Sequence, residues 1–186
     1  MADTKRRLVD RITDPSYLEG VESRSLDELR AMDEECREAE LEVSFERRLL
    51  QARIDILTAE LERRQKDEPS DLLERLPQIL ASDAPRRSGD QPLPSRAPDL
   101  KRIPRNADVP RRRVEEIVGE MTLARLPQLP AEEIEGIVAS LRTHEAAISA
   151  RRRQVHQVID RVQELLVPQL RDRYGLEQGS TDEDDA

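Results

Sequence analysis

Glu40, Ser44, Arg47, Gln51 and Asp55 follow one another at intervals of four, three, four and four residues. At about 100° per residue, that spacing puts all five on one helical stripe roughly 80° wide and about 22 Å long. Glu145, Ser149, Arg152, His156 and Asp160 stand 105 residues further on at the same intervals. Four of the five residue types recur, and His156 takes the place of Gln51. The chemistry of such a set is hydrogen-bonding recognition. An Arg fork matches the O6 and N7 acceptors of guanine, and a carboxylate accepts from guanine's N–H donors. Arg can also stack on a base or grip a phosphate with two bonds, while Ser and Gln add neutral hydrogen bonds. Two copies at one phase suit a ligand with two similar halves, such as a symmetric guanine nucleotide.

Catalysis has no apparatus in this chain. There is no phosphate-cradling glycine loop, no Ser-His-Asp set and no metal-ligand cluster, so the protein reads as a non-enzyme. Cys36 is alone and can form no intrachain disulfide. His144 and His156 lie twelve residues apart, too far to share a metal on one helical turn, and a surface or packing role suits them better.

Two long helices are needed to carry the two stripes. Ser25 and Glu28 form a capping box, and no Pro or Gly follows until about Lys66, so a first helix is expected over 25–66. Its seam is a strict heptad of Leu29, Cys36, Val43, Leu50 and Leu57. Met32 and Ala39 support it early, Ile54 and Leu61 late. The second helix is expected over 130–174, with Pro130 in its first turn, Glu132 and Glu133 complementing the dipole, and Gly175 as a stop. Its seam of Ile134, Leu141, Ile148, Val155 and Val162 repeats the first at the same offset of 105, with Ile159 and Leu166 matching Ile54 and Leu61. Since 105 is fifteen heptads, core register and polar stripe repeat together.

Residues 1–24 read as a flexible N-terminus in which Arg6 to Ile12 can form a short helix stopped at Asp14-Pro15. Residues 67–129 read as short helices and a linker. Leu72, Leu73, Leu76, Ile79 and Leu80 have helical periodicity around Pro77. Residues 83–112 hold six prolines amid scattered Arg and suit a disordered Pro/Arg-rich connection. Arg113 to Leu126 is expected to form another short helix. Residues 175–186 read as an acidic, disordered tail.

Composition agrees with such an architecture. Aromatic residues are 2% of the chain and charged residues 38%, which disfavours a thick core and suits long helices packed along narrow seams. A net charge of −9 disfavours general binding to nucleic acid. No apolar run has membrane-spanning length and no secretory h-region opens the chain, so a cytoplasmic location without membrane contact is the default expectation.

Geometry decides how the helices pair. With the Leu29 series at heptad position a, Glu40, Arg47, Glu145 and Arg152 all fall at e. Two e rows flank the same side of an antiparallel seam, whereas in a parallel pair these stripes would lie on opposite sides. An all-α, antiparallel two-helix coiled-coil hairpin is therefore expected, with the stripes as two halves of one groove.

Two copies of Glu-x3-Ser-x2-Arg-x3-Gln-x3-Asp on an antiparallel coiled coil resemble the signature of the RsiG anti-sigma factors of sporulating actinobacteria. The resemblance implies binding of cyclic di-GMP as a dimer on the coiled coil. It also implies sequestration, in that state, of a WhiG-type sporulation sigma factor, which regulates transcription by blocking access to RNA polymerase and promoters. Glu40, Ser44, Arg47, Gln51 and Asp55 match the pattern in full, as do Glu145, Ser149, Arg152 and Asp160. His156 departs from it: imidazole offers one donor or one acceptor at a time per nitrogen, where an amide offers both groups. The chain is expected to be monomeric on its own.

Leu41, Phe45, Leu49 and Ile56 project from the first helix away from its seam, which suggests a contact surface. Either the short middle helices fold back onto them or they meet the sigma factor, and the Leu72–Leu80 segment is a second candidate for that contact. The rival to a ligand-dependent anti-sigma factor is a coiled-coil adaptor or scaffold that needs no small ligand. A finger-like factor acting on RNA polymerase ranks last, because the connection between the helices is far too long for a tight tip.

Overall fold

The computed structural model describes residues 7–66 and 103–175. Its elements in chain order are α1 (Leu8–Ile12), two 3-10 turns (Pro15–Leu18 and Val21–Ser23), α2 (Leu26–Gln65), α3 (Asp108–Ile117), α4 (Glu120–Ala124), a 3-10 turn (Leu126–Gln128) and α5 (Ala131–Tyr174). No strand occurs among the described residues.

Helix α2 begins where the capping box requires. Ser25 N–H donates to Glu28 Oε2 at 2.8 Å, and Glu28 N–H donates back to Ser25 Oγ at 3.4 Å, so two otherwise orphaned donors are satisfied. Helix α5 follows Pro130, runs through Pro168 and ends at Gly175, whose φ of 61° closes the last turn in a left-handed conformation that costs Gly little.

The two long helices pack antiparallel. Asp33 meets Gln163, Glu40 meets Arg152 and Arg47 meets Glu145, so rising numbers on α2 face falling numbers on α5. Every a position of both seams is buried, from Leu29 through Leu57 and from Ile134 through Val162. Burying each such side chain contributes about 1.5–3 kcal/mol, enough in sum to hold two helices of this length together. The d row is different. After Met32 and Ala39 it turns polar, with Glu46 and Glu60 on α2 and His144 and Arg151 on α5, and Glu46 and Glu60 are nonetheless buried.

A second layer covers Glu46 on that side of the seam. The expectation of a flexible 1–24 does not hold for residues 7–24. Val9 and Ile12 are fully buried in the core cluster together with Val21, and Arg7 pairs with Glu42 and Glu46. Asp10 accepts from Arg151 at 2.8 Å, and Tyr17 OH donates to Glu35 Oε2 at 3.0 Å. The segment is too short to be a stable helix by itself, and its order comes from these tertiary contacts. The stop at Asp14-Pro15 is seen, since α1 ends at Ile12.

Helix α3 packs on α2 from the same side and begins five residues before the expected Arg113, within what read as linker. Pro110 sits in its first turn, where the missing N–H costs nothing. The expected single helix to Leu126 is broken at Val118-Gly119, and α4 starts afresh at Glu120. Leu126 and Leu129 are buried, and their carbonyls accept from Arg64 at 2.8 and 2.6 Å, tying the end of α2 to the start of α5. The Leu72–Leu80 segment, the Pro-rich stretch up to residue 102 and the acidic tail beyond Gly175 lie outside the described residues.

Candidate ligand groove

On the e/b side of the seam, the two stripes meet across α2 and α5. Arg47 Nε donates to Glu145 Oε1 at 3.2 Å, and Arg152 Nε donates to Glu40 Oε1 at 3.1 Å. These pairs are images of each other under the offset of 105: the Arg of each copy binds the Glu of the other. Each Glu is also held within its own helix. Ser44 Oγ donates to Glu40 at 2.6 Å, and Ser149 Oγ donates to Glu145 at 2.7 Å. The Ser recurs for a geometric reason, since at i+4 its short hydroxyl reaches the carboxylate without reaching past it.

The halves differ in detail. In the Glu40 half, Arg152 Nε also donates to Ser44 Oγ at 3.0 Å, and both Glu40 and Ser44 are buried. The Glu145 half is more open, with Glu145 and Ser149 half-buried. Gln51, Asp55, His156 and Asp160 are half-buried on the same flank. His156 Nε2 is shielded from solvent 3.6 Å from Glu40 Oε1, too far for a hydrogen bond. The structure thus joins Glu40, Ser44 and Arg152 into one contact network, and Arg47, Glu145 and Ser149 into another. It keeps Gln51, Asp55, His156 and Asp160 along the same flank. Arg48 lies back on its own helix with its guanidinium 5.8 Å from the Phe45 ring, and Arg153 is exposed.

The opposite flank holds residues that the sequence pattern does not bring together. Glu46 Oε accepts from Arg7 at 3.0 Å, lies 2.9 Å from His144 Nε2 and 3.9 Å from an Arg113 nitrogen. One fully buried carboxylate is thereby surrounded by groups from the chain before α1, from α3 and from α5. A charged residue at a d position was the available signal, because burying it demands partners. His144, expected in a surface or packing role, lies half-buried against Glu46. Glu60 at the next-but-one d position is held by Arg63 and Arg64, which keep its carboxyl below the usual range despite opposing burial. Leu41 is buried and Phe45, Leu49 and Ile56 are half-buried, with Leu49 and Ile56 packed against the core. These are the four residues expected either to receive the short middle helices or to meet the sigma factor, and none of them is fully exposed.

Nothing in the described residues gathers three or more potential metal ligands, and no described helix is long and apolar enough to cross a membrane. Among curated proteins no match is found. A family model described as RsiG-like does match, over residues 15–80. That stretch contains α2 entire, with the first copy of the stripe and most of the groove's buried half. The likeness to that family covers residues 15–80 of the 186.

Proposed function

We propose that this protein is a non-enzymatic anti-sigma factor that binds cyclic di-GMP in the α2–α5 groove and, so loaded, sequesters a WhiG-type sporulation sigma factor. The RsiG-like match supports the anti-sigma role. The observation that carries the ligand is the pair of two-fold related contacts, Arg47–Glu145 and Arg152–Glu40. Each couples a fork of donors to a pair of acceptors across the seam. Guanine presents the complement of both, with O6 and N7 facing an Arg and its N–H donors facing a carboxylate. A guanine entering between them exchanges one ion pair for two charge-assisted hydrogen-bonded contacts, so that both charged groups keep a hydrogen-bond partner. Two such sites related by a two-fold axis match the dimer of a symmetric dinucleotide.

Labelled cyclic di-GMP titrated into the purified protein, with and without the sigma factor, tests this reading. The sigma factor should tighten nucleotide binding by the same factor by which nucleotide tightens sigma binding. Absence of saturable binding in both titrations contradicts the proposal. Arg47→Ala and Arg152→Ala should each weaken binding at least tenfold, since each removes charge-assisted bonds worth about 1.5–3 kcal/mol.

One observation favours a ligand-independent adaptor. The same Arg–Glu pairs already form a closed ladder between helices. If they serve only the hairpin, Ser44→Ala and Ser149→Ala leave every partner interaction unchanged, whereas a ligand groove loses the hydroxyls that orient both carboxylates.

A further inference from the structure

Beyond the stripe, the offset of 105 repeats two further Arg pairs, Arg48 with Arg153 and, toward the outer ends, Arg37 with Arg142. Arg37 and Arg142 lie three residues before Glu40 and Glu145 and are also identical. Apart from these, outer-face positions have diverged: Asp33 corresponds to Val138, Leu41 to Ala146, Phe45 to Ala150 and Glu46 to Arg151. The Arg37 and Arg142 pair amid that divergence sits at heptad position b, the row of Ser44 and Gln51 on α2 and of Ser149 and His156 on α5.

Placement in the structure agrees. The contacts Asp33–Gln163 and Glu40–Arg152 bracket Arg37, so it stands level with the stretch of α5 that holds His156 and Asp160. By the same two-fold relation, Arg142 stands level with Gln51 and Asp55. The two therefore stand toward the outer ends of the groove, each level with the Gln or His and the Asp of the other copy. The Arg37 side chain is 62% exposed, and its Nε donates to Asp33 Oδ2 at 2.6 Å. Asp33 Oδ1 in turn accepts from Gln163 Nε2 at 3.0 Å, which holds the guanidinium at the lip between the helices. Arg142 is exposed.

Charge balance gives these residues work to do. Within the ten stripe residues, four carboxylates stand against two guanidiniums, so the groove is net negative by itself. Carboxylates suit the guanine edges and repel phosphodiesters. Arg48, folded against Phe45, is turned along its own helix. An anionic dinucleotide needs cations at the ends of the groove, where its backbone would emerge, and Arg supplies a planar fork that matches phosphate.

We propose that Arg37 and Arg142 are a symmetric outer pair of phosphate contacts for the dinucleotide held in the groove. This rests on the cyclic di-GMP reading above. The test is titration of labelled cyclic di-GMP at several salt concentrations into the wild-type protein, Arg37→Gln, Arg142→Gln, the double variant and the two Lys variants. Each Gln variant should bind about tenfold more weakly at low salt, and the double variant about a hundredfold, as expected for separated charge-assisted contacts. Affinity should fall less steeply with salt in the Gln variants, because fewer counterions are exchanged. The Lys variants should keep that steepness and regain part of the affinity. A double variant that binds within about twofold of wild type overturns the proposal. So does a loss that is the same at every salt concentration and is not relieved by Lys, which marks a structural role. Wild-type protein that binds no cyclic di-GMP overturns the ligand reading itself and this inference with it. Wild-type binding with an unaffected double variant removes only the outer pair.

Discussion

The hairpin has two flanks, and they obey different rules. On the groove flank, the offset of 105 relates residue to residue, and the cross-helix distances agree to within a tenth of an ångström, 3.2 against 3.1 Å. On the other flank the same offset pairs Glu46 with Arg151, opposite charges at equivalent positions. The chain before and within α1 meets both, Arg7 binding Glu46 and Asp10 accepting from Arg151. One flank keeps two-fold symmetry and stays open, while the other breaks it and is covered. Symmetry is kept where the two stripes meet each other, and broken where a single intramolecular layer docks in one orientation.

The largest expected difference between the flanks is in stability. Glu46→Ala strips a fully buried carboxylate from the guanidiniums and imidazole around it and should cost about 3–5 kcal/mol in urea unfolding. Glu145→Ala, its neighbour in level on the groove flank, involves a pair 34% and 24% exposed and should cost less than about 1 kcal/mol. Similar losses in the two variants would erase the distinction drawn here.

A smaller effect is expected in acid. Arg63, with Arg64, holds the Glu60 carboxyl below its ordinary value of 4.5. A folded-state pKa lower than the unfolded one stabilises the fold above the unfolded value, and that contribution is lost as pH falls through the folded value. Wild-type melting temperature should therefore drop as pH is lowered from about 4.5, in the range where Glu60 gains its proton. Glu60→Gln should be less stable at neutral pH and should show a shallower acid limb. An acid limb as steep in the variant as in wild type would remove Glu60 from the covered flank's support.

The two flanks were not equally legible in the sequence. Heptad seams, capping box, helix directions and the meeting of Glu40, Ser44 and Arg47 with Glu145, Ser149 and Arg152 all follow from spacing, because each depends on residues of one helix or on an exact offset between two. The covered flank depends on contacts between residues far apart with no shared period. Val9 and Ile12 are a short apolar pair of the kind that occurs in any mobile terminus, and only the polar d row opposite them gives Arg7 and Asp10 something to bind. Leu41, Phe45, Leu49 and Ile56 were readable as a surface, but their fate was set by what packs beside α2. Arg37 and Arg142 were readable by extending the repeat a further turn; Asp33 and Val138, which differ, mark where it stops.

Next in size is the contact beneath the first 3-10 turn. Tyr17 OH donates to Glu35 and lies 3.9 Å from Cys36 Sγ, and burial pushes the Cys36 thiol up to about 11. Maleimide at pH 8 should leave Cys36 unlabelled in the folded protein. Tyr17→Phe should cost about 1 kcal/mol and speed labelling correspondingly, since reaction then requires the turn to lift. Rapid labelling of the wild type would mean that this layer is not held in place.

The smallest stability effects belong to the groove. Ser44→Ala and Ser149→Ala should each change stability by no more than about 0.5 kcal/mol, because Ala favours the helix as the lost hydrogen bond disfavours it. Their effect should appear in ligand affinity, which is where the two flanks part company most plainly.

The most direct measurement is a thermal shift of the purified protein with cyclic di-GMP and, for comparison, cyclic di-AMP. A ligand that binds only the folded form raises the melting temperature, and at a hundred times its dissociation constant it adds about 2.7 kcal/mol. Cyclic di-GMP should raise the melting temperature of the wild type, cyclic di-AMP should not, and the shift should vanish in Arg152→Ala, which melts below the wild type without ligand because buried Glu40 loses its guanidinium. No shift with cyclic di-GMP, or a shift that survives in Arg152→Ala, would contradict the groove as its site.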